Sequence, residues 1–259
     1  MPKIKRSKSA NSDNPKDTVT EFKEKFKSDG EYLLKNVFPQ KIMELEEYCQ
    51  LLCQSKVSEI NCELNIPVPD PILFGYGAGG LQSPAMKRKL EAITGVGSRD
   101  IPGSKVMVLQ NGTVPCNTKI IEIAEKLKPY IRDLIDHSNT LKMWIAFLIP
   151  KIEDGNNFGV AIQEETLSEV GAVENEVEEY MNLISRYFIS RGKLISKVAK
   201  YPHIDDYRQC IKELDEQEFM SLRLMCCELR NNYASLYDMI IKNIEKIKKP
   251  RSANTENLY

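Results

Sequence analysis

Long stretches of heptad-like apolar spacing constrain the fold of this chain more than any other feature. Between residues 118 and 148, apolar side chains recur in alternating steps of four and three residues, and the polar Ser138 takes the one remaining position. This spacing places a single stripe along one face of a helix and is typical of helices that pack in bundles. The stripe consists of Ile120, Ala124, Leu127, Ile131, Leu134, Leu141, Ile145 and Leu148.

Three further segments show helical spacing, over residues 17–52, 161–200 and 205–248. Pro39 interrupts the first of them, and we expect a kink or a break there. The links between the last three helices are short, which favours antiparallel neighbours. The sequence therefore predicts an all-α, up-down four-helix bundle with helices of roughly 35–45 residues, about 50–65 Å long. The stripe of the third helix is Leu167, Val170, Val177, Met181, Ile184, Phe188, Ile195 and Val198. The stripe of the fourth is Leu222, Met225, Leu229, Tyr233, Leu236 and Ile240.

The segments outside the helices differ from them in composition. Residues 1–16 are polar and basic, so a disordered N-terminus is expected. Residues 67–116 are dense in Gly and Pro, which predicts a long flexible loop within the bundle domain of residues 17–248. Residues 249–259 follow the last helix as a polar tail.

Charge and composition exclude several classes of function. The 36 Lys and Arg residues nearly balance the 37 Asp and Glu residues, for a net charge of −1, so neither nucleic acid nor a membrane surface is an expected partner. No apolar run reaches the roughly 18 residues of a membrane span, and the N-terminus lacks the apolar core of a secretory signal. An intracellular protein is expected, with its seven cysteines as thiols and with neither metal nor cofactor.

A glycine-rich stretch offers the one nucleotide-binding alternative. Residues 75–80 satisfy G-x-G-x-x-G, and Asp100 lies at the distance expected of a ribose-binding acid. However, a dinucleotide site needs a strand before the glycines and a helix after them, and prolines break the preceding segment. Neither His137 nor His203 has a nucleophile at a suggestive spacing, so no catalytic residues are predicted.

Two basic clusters bear on localisation. Lys87, Arg88 and Lys89 form a nuclear import signal or a contact patch in one interpretation, and a solvated cluster that keeps the loop soluble in the other. A second cluster favours the nucleus slightly, with the cytoplasm as the alternative. It consists of Lys3, Lys5, Arg6 and Lys8.

The link between the second and third helices contains more turn-forming residues than a simple helix-to-helix turn requires. Gly155 and Gly159 permit positive φ, and Asn156 and Asn157 tolerate it. These residues suit a compact helix-to-helix turn, which is one interpretation. Phe158 stands among polar residues at the tip, where it either folds back on the bundle or contacts a partner.

Several long segments together resemble the 11S proteasome activator family, also called REG. They are PKIEDGNNFGVAIQEE at 150–165, AKYPHIDDYRQ at 199–209, LRLMCCELRNNYASLYDMIIKNIEKIKKPRS at 222–252, NIPVPDPI at 65–72, LKMWIAFLIP at 141–150 and the final Leu-Tyr. The resemblance covers most of the chain after Asp17 and weakens over residues 73–116. The stretches VMVLQNG and KKPRSANTENLY are most similar to the gamma type, which implies a nuclear homo-oligomer.

The resemblance implies a non-enzymatic ring of seven subunits that docks on the α-subunit ring of the 20S proteasome without ATP or ubiquitin. In that family C-terminal tails anchor the ring, and the loops between helices 2 and 3 open the gate and stimulate peptide hydrolysis. The implied activation loop is Glu153, Asp154, Gly155, Asn156, Asn157, Phe158 and Gly159. The implied anchor is Asn257, Leu258 and Tyr259. The alternative from another class is a helical scaffold or adaptor that binds clients through residues 67–116.

Overall fold

Helices are the only regular secondary structure in the described part of the chain. The computed structural model of the protein describes residues 15–54, 57–70, 109, 111–153, 155 and 157–251, and these contain no strand. The prediction of an all-α fold is therefore confirmed. The elements are α1 (Pro15–Tyr32), a π-helical turn (Leu33–Val37), α2 (Phe38–Gln54), a 3₁₀ turn (Val57–Ile60), α3 (Thr118–Leu148), α4 (Phe158–Lys200) and α5 (Asp206–Lys248).

The long helices form an up-down bundle around one main core. Helix α4 packs against α3 and α5, α5 also packs against α2 and α3, and α1 lies on α3. The predicted stripes of α3 and α5 face this core, since every member except Leu148 is buried. The largest fully buried side chains are Trp144, Tyr233, Phe38 and Phe219.

Pro39 neither breaks the first helix nor separates α1 from α2. A π-helical turn precedes the proline, and the N–H of Phe38 donates to the carbonyl oxygen of Leu33, five residues earlier. A proline ring clashes with the carbonyl four residues before it in a regular α-helix. The wider π turn absorbs such a disturbance, so of the predicted kink or break, no break occurs.

Helix α3 is bounded by a capping asparagine and a proline. Asn117 is the N-cap, and its side-chain Oδ1 accepts from the N–H of Ile120 at 3.3 Å. The helix ends at Leu148, just before Pro150, and contains Pro129. Its 31 residues make it shorter than the predicted range, because the cap and the proline confine it.

Helix α4 begins earlier than its apolar pattern indicates. The pattern places the start near Ala161, whereas the helix runs from Phe158. The N–H of Ala161 donates to the carbonyl oxygen of Asn157 at 2.9 Å, which closes the first helical turn. Phe158 and Gly159 therefore belong to the helix rather than to the loop assigned to residues 153–159.

The two ends of the 67–116 segment are held together at one end of the bundle. The Asn65 side chain donates to the carbonyl oxygen of Thr113 at 3.0 Å, and the Asn111 side chain donates to that of Asn65 at 3.0 Å. Beneath them, Ile66 joins a small apolar cluster with Val198 of α4. Flexibility of the remainder is still a prediction, because residues 71–108 lie outside the described part.

No helix among the described residues is long and apolar enough to cross a membrane. No group of three metal-ligating side chains occurs among the same residues. Cys49 of α2 and Cys226 of α5 are buried with their Sγ atoms 3.2 Å apart. Burial raises the pKa of the Cys226 thiol to about 11, so these two cysteines act as packing groups.

Candidate functional site

The link between α3 and α4 turns at a glycine that needs a left-handed backbone. Gly155 has φ +80°, and no atom lies within 4 Å of the position that a Cβ would occupy. Glycine takes this conformation without the steric penalty that other residues meet. The predicted positive φ at Gly155 is confirmed. Asp154 and Asn156, also assigned to this loop, lie outside the described residues.

Gly159 is required for a different reason from the one predicted. It lies in the first turn of α4, where φ is not positive, and a Cβ there would stand 2.0 Å from the carbonyl oxygen of Pro250. Only a residue without a side chain permits this approach. The start of α4 is thereby pressed against the segment that follows α5.

Gln163, one turn further along α4, holds the ends of the two neighbouring helices. Its Nε2 donates to the carbonyl oxygen of Leu148 at 3.1 Å and to that of Ile247 at 2.7 Å. Both carbonyls lie in the last turns of their helices, where intrahelical donors run out. The side chain is completely buried, so it ties α3 and α5 to α4 just beneath the loop.

Arg251, just after α5, reaches across to the loop. Its Nη1 donates to Oε2 of Glu153 at 2.9 Å, and its Nη2 donates to Oδ1 of Asn157 at 3.3 Å. Glu153 and Asn157 flank Gly155, so one guanidinium group bridges both sides of the turn. Lys151 completes the arrangement with an ion pair to Oε1 of Glu153 at 2.8 Å.

The carboxyl group of Glu153 is held in its charged form. A hydrogen bond from Lys151 and the charges of Lys151 and Arg251 lower the pKa of Glu153 from its ordinary value. A carboxylate with a lowered pKa stays ionised at neutral pH. Glu153 is therefore a negatively charged partner for both Lys151 and Arg251 at neutral pH.

Two large apolar side chains, one on each side of this turn, are exposed. Phe158 is 74% exposed, and the side chain of Ile152 is completely exposed. Phe158 therefore does not fold back onto the bundle, which was one of the two predicted arrangements. Exposed apolar side chains in the loop and in the first turn of α4 are suited to contact with another protein.

A buried polar network closes the opposite end of the bundle. Asp215 of α5 accepts from Nε of Arg191 at 2.9 Å, from the hydroxyl of Tyr187 at 2.9 Å and from Nδ2 of Asn117 at 2.8 Å. Asp215 and Arg191 are 1% and 4% exposed. Arg191 also donates to the carbonyl oxygen of Pro115, so the network reaches the end of the 67–116 segment.

The apolar pattern did not identify these polar residues, although two of them lie at positions that fit the helical spacing of the stripe. Gln163 extends the three-and-four spacing of the α4 stripe one step before Leu167, and Arg191 fills the gap in that spacing between Phe188 and Ile195. A search for the spacing alone, without the requirement that each position be apolar, would have found both. Arg251 has no comparable signal, since it lies outside every helix.

Other predicted site residues lie outside the described part of the chain. These are the basic residues Lys87, Arg88 and Lys89 and the tail residues Asn257, Leu258 and Tyr259. The glycine-rich stretch and Asp100 also lie there. Of the two histidines, His137 is half-buried with Nδ1 3.0 Å from the hydroxyl of Tyr233, which suits a structural residue.

Sequence comparisons agree with the resemblance noted above. The family description "Proteasome activator PA28, N-terminal" matches residues 13–71, and "Proteasome activator PA28, C-terminal" matches residues 113–257. The chain is 50% identical over 244 residues to proteasome activator complex subunit 3 of Gallus gallus, covering 93% of this chain and 94% of that protein. Identity to the Homo sapiens subunit 3 is 49% with the same coverage.

Solved structures show the same architecture. The 11S subunit of the Plasmodium falciparum proteasome, PA28, superposes with a TM-score of 0.67 at 30% identity, covering 96% of this chain and all of that one. A mutated P26 activator solved in complex with an archaeal 20S proteasome gives a TM-score of 0.65 at 11% identity, which supports the fold alone.

The fold is an up-down bundle of long helices with a structured loop at one end. It defines a class of helical proteins that can contact another protein through that end. Within this class, the chain belongs to the proteasome activator PA28 family. The similarity to the gamma type is also confirmed, because the relatives of about 50% identity are gamma-type subunits.

Proposed function

We propose that this protein is a non-enzymatic activator of the 20S proteasome that acts without ATP or ubiquitin. Its C-terminal residues dock on the proteasome α-subunit ring, and the loop between α3 and α4 displaces the segments that close the gate. Peptide hydrolysis by the proteasome then increases, while the activator itself catalyses no step. Membership of the PA28 family supports the proposal, and the geometry of the loop carries it.

The decisive observation is that both sides of the turn at Gly155 are held by contacts with Arg251, while large apolar side chains beside the turn are exposed. A loop that must move the backbone of another protein has to resist deformation itself. Gln163 and the contact between Gly159 and Pro250 support it from below. Ile152 and Phe158 remain exposed on its outer surface, available for a partner.

Assembly into a homo-oligomeric ring, which we propose to be heptameric, is supported by apolar surface on the sides of the helices. Met43 and Leu51 of α2 are 60% and 56% exposed, and they lie on the same helix. Ile189 of α4 and Leu224 of α5 are 58% and 56% exposed. Repeated subunit contacts would bury such side chains in a closed ring.

Removal of Leu258 and Tyr259 is expected to weaken docking severely and to leave the ring intact. Neither residue belongs to a core stripe, whereas every subunit of a ring would lose its anchor. Multivalent binding gains roughly 10² to 10⁴ in avidity, so the concentration for half-maximal stimulation should rise about 10²-fold or more. The measurement is fluorogenic peptide hydrolysis by 20S proteasome titrated with activator, with sedimentation to monitor the ring.

Thr255→Ala is the matched control, since it changes the tail but keeps both terminal residues. An intact ring of the truncated protein that activates at the parent's concentration would show that these residues are not the anchor. Absence of stimulation by the parent protein itself would contradict the proposed function as a whole.

Substitution of Gly155 by valine is expected to separate docking from stimulation. The backbone at φ +80° is strained for a β-branched residue, so the loop should change shape while the tail is untouched. Binding to 20S proteasome should persist and maximal peptide hydrolysis should fall. Gly112→Val tests the same strain elsewhere, because Gly112 has φ +76° in the turn beside Asn111. Equal stimulation by Gly155→Val and parent would contradict the assigned role of the loop.

We also propose a nuclear location with the cytoplasm as a second compartment, supported only by the two basic clusters in the sequence. Imaging of a fluorescently tagged protein, with Lys87, Arg88 and Lys89 replaced by alanine in the comparison variant, would test it.

A further inference from the structure

The loop and its supporting helix ends are joined to the end of α5 and the residues after it by contacts at three successive depths. Gln163 lies deepest, bonded to the carbonyl oxygens of Leu148 and Ile247. Above it Gly159 packs against Pro250, and at the surface Arg251 bonds to the loop. Pro250 and Arg251, near the start of the tail, are therefore part of the same structural unit as the loop.

The outermost contact is the one that joins the two directly. Arg251 binds the side chains of both Glu153 and Asn157, which lie 98 and 94 residues away in sequence. Its side chain is only 21% exposed, compared with 45% for Glu153. The guanidinium group thus closes the turn around Gly155 and joins that turn to the first part of the tail.

We propose that Arg251 is a positioning residue that couples tail docking to the conformation of the activation loop. The inference rests on the proposed function, and it assigns a role to a residue outside both the loop and the terminal anchor. When residues 252–259 bind the proteasome, Arg251 is held at the surface of the complex. Its two hydrogen bonds then hold Glu153 and Asn157 in place, so the loop cannot yield when it meets its partner.

The chemistry of arginine suits this role better than that of lysine. A planar guanidinium carries several N–H groups in a fixed geometry and can bind two acceptors at once. A lysine ammonium is a flexible point charge that would satisfy one acceptor well and the other poorly. Arg251→Lys should therefore retain docking and recover only part of the stimulation.

The first test compares Arg251→Ala, Arg251→Lys and the parent ring on 20S proteasome with a fluorogenic peptide. For Arg251→Ala we expect an unchanged ring and a similar concentration for half-maximal stimulation. Maximal stimulation should fall about threefold or more, since an exposed ion pair is weak but every subunit loses it. Lys248→Ala is the matched control, because it removes an ion pair with Glu31 near the same end of α5 without touching the loop.

The second test is a double-mutant cycle between Arg251→Ala and Glu153→Ala. If the two side chains act through their contact, Arg251→Ala should reduce maximal stimulation much less when Glu153 is already alanine. Equal effects in both backgrounds would overturn the proposal, as would full maximal stimulation by Arg251→Ala or a loss confined to docking. These outcomes differ from failure of the proposed function, in which the parent ring would not stimulate the proteasome.

Discussion

Replacing Asp215 with alanine is expected to lower the free energy of unfolding by about 3–5 kcal/mol, the usual cost of breaking a buried ion pair from one side. The carboxylate accepts hydrogen bonds from Arg191, Tyr187 and Asn117. Without it, the guanidinium of Arg191 would remain 4% exposed and lack its counter-charge. The loss should also loosen the end of the bundle where α3 begins, because Asn117 caps that helix.

The measurement is denaturant unfolding at one fixed protein concentration, since the apparent stability of an oligomer depends on concentration. Asp238→Ala provides the control, because Asp238 pairs with Lys242 on the exposed face of α5. Its expected effect is within about 1 kcal/mol, as for other exposed pairs. A similar small change for Asp215→Ala would show that the network does not stabilise the bundle.

The double variant Asp215→Leu with Arg191→Met separates the effect of the unpaired charge on stability from the effect of lost packing. Replacing both members of a buried pair with apolar residues of similar volume is often close to neutral. We therefore expect the double variant to recover part of the stability lost in Asp215→Ala, since the buried hydroxyl of Tyr187 still loses its acceptor. A double variant that is less stable than Asp215→Ala would contradict an uncompensated charge as the cause.

Gly159→Ala is expected to impair both stability and stimulation. The added Cβ would stand 2.0 Å from the carbonyl oxygen of Pro250 and 2.6 Å from its Cα, so backbone must move to admit it. Overpacking of this kind typically costs about 1–3 kcal/mol. The movement would displace Arg251 from the loop, so maximal stimulation of peptide hydrolysis should also fall.

Gly171→Ala is the matched control on the same helix. No atom lies within 4 Å of a Cβ added at Gly171, and alanine is favoured over glycine within helices by roughly 0.5–1 kcal/mol. We therefore expect opposite changes in thermal stability for the two substitutions. A Gly159→Ala protein as stable and as active as the parent would show that the contact with Pro250 contributes to neither stability nor stimulation.

The period of the stripes was predictable, but the residues that complete the α4 stripe were not. All six predicted positions of α5 are buried, from Leu222 to Ile240. On α4, the buried positions include Gln163, Tyr187 and Arg191, which the apolar pattern passed over. A polar side chain becomes acceptable in a core only when partners satisfy it, and those partners come from other helices.

In the loop, too, one feature was predictable from the sequence and another was not. A turn with glycine at positive φ was predicted, and Gly155 has it. Gly159 was assigned the same reason, but the cause is its approach to Pro250, which is 91 positions further along the chain. Such an approach depends on how two helices end beside each other in space, and local spacing carries no signal of it.

By itself, the sequence determined the helices and their core-facing stripes. These features depend on local backbone preferences and on the periodic placement of apolar side chains, both of which can be read along the chain. The tertiary structure alone decided that Gln163 spans two helix ends, that Asp215 meets Arg191, and that Arg251 holds the loop. Each of these contacts joins residues far apart in sequence, so its geometry exists only once the helices have packed.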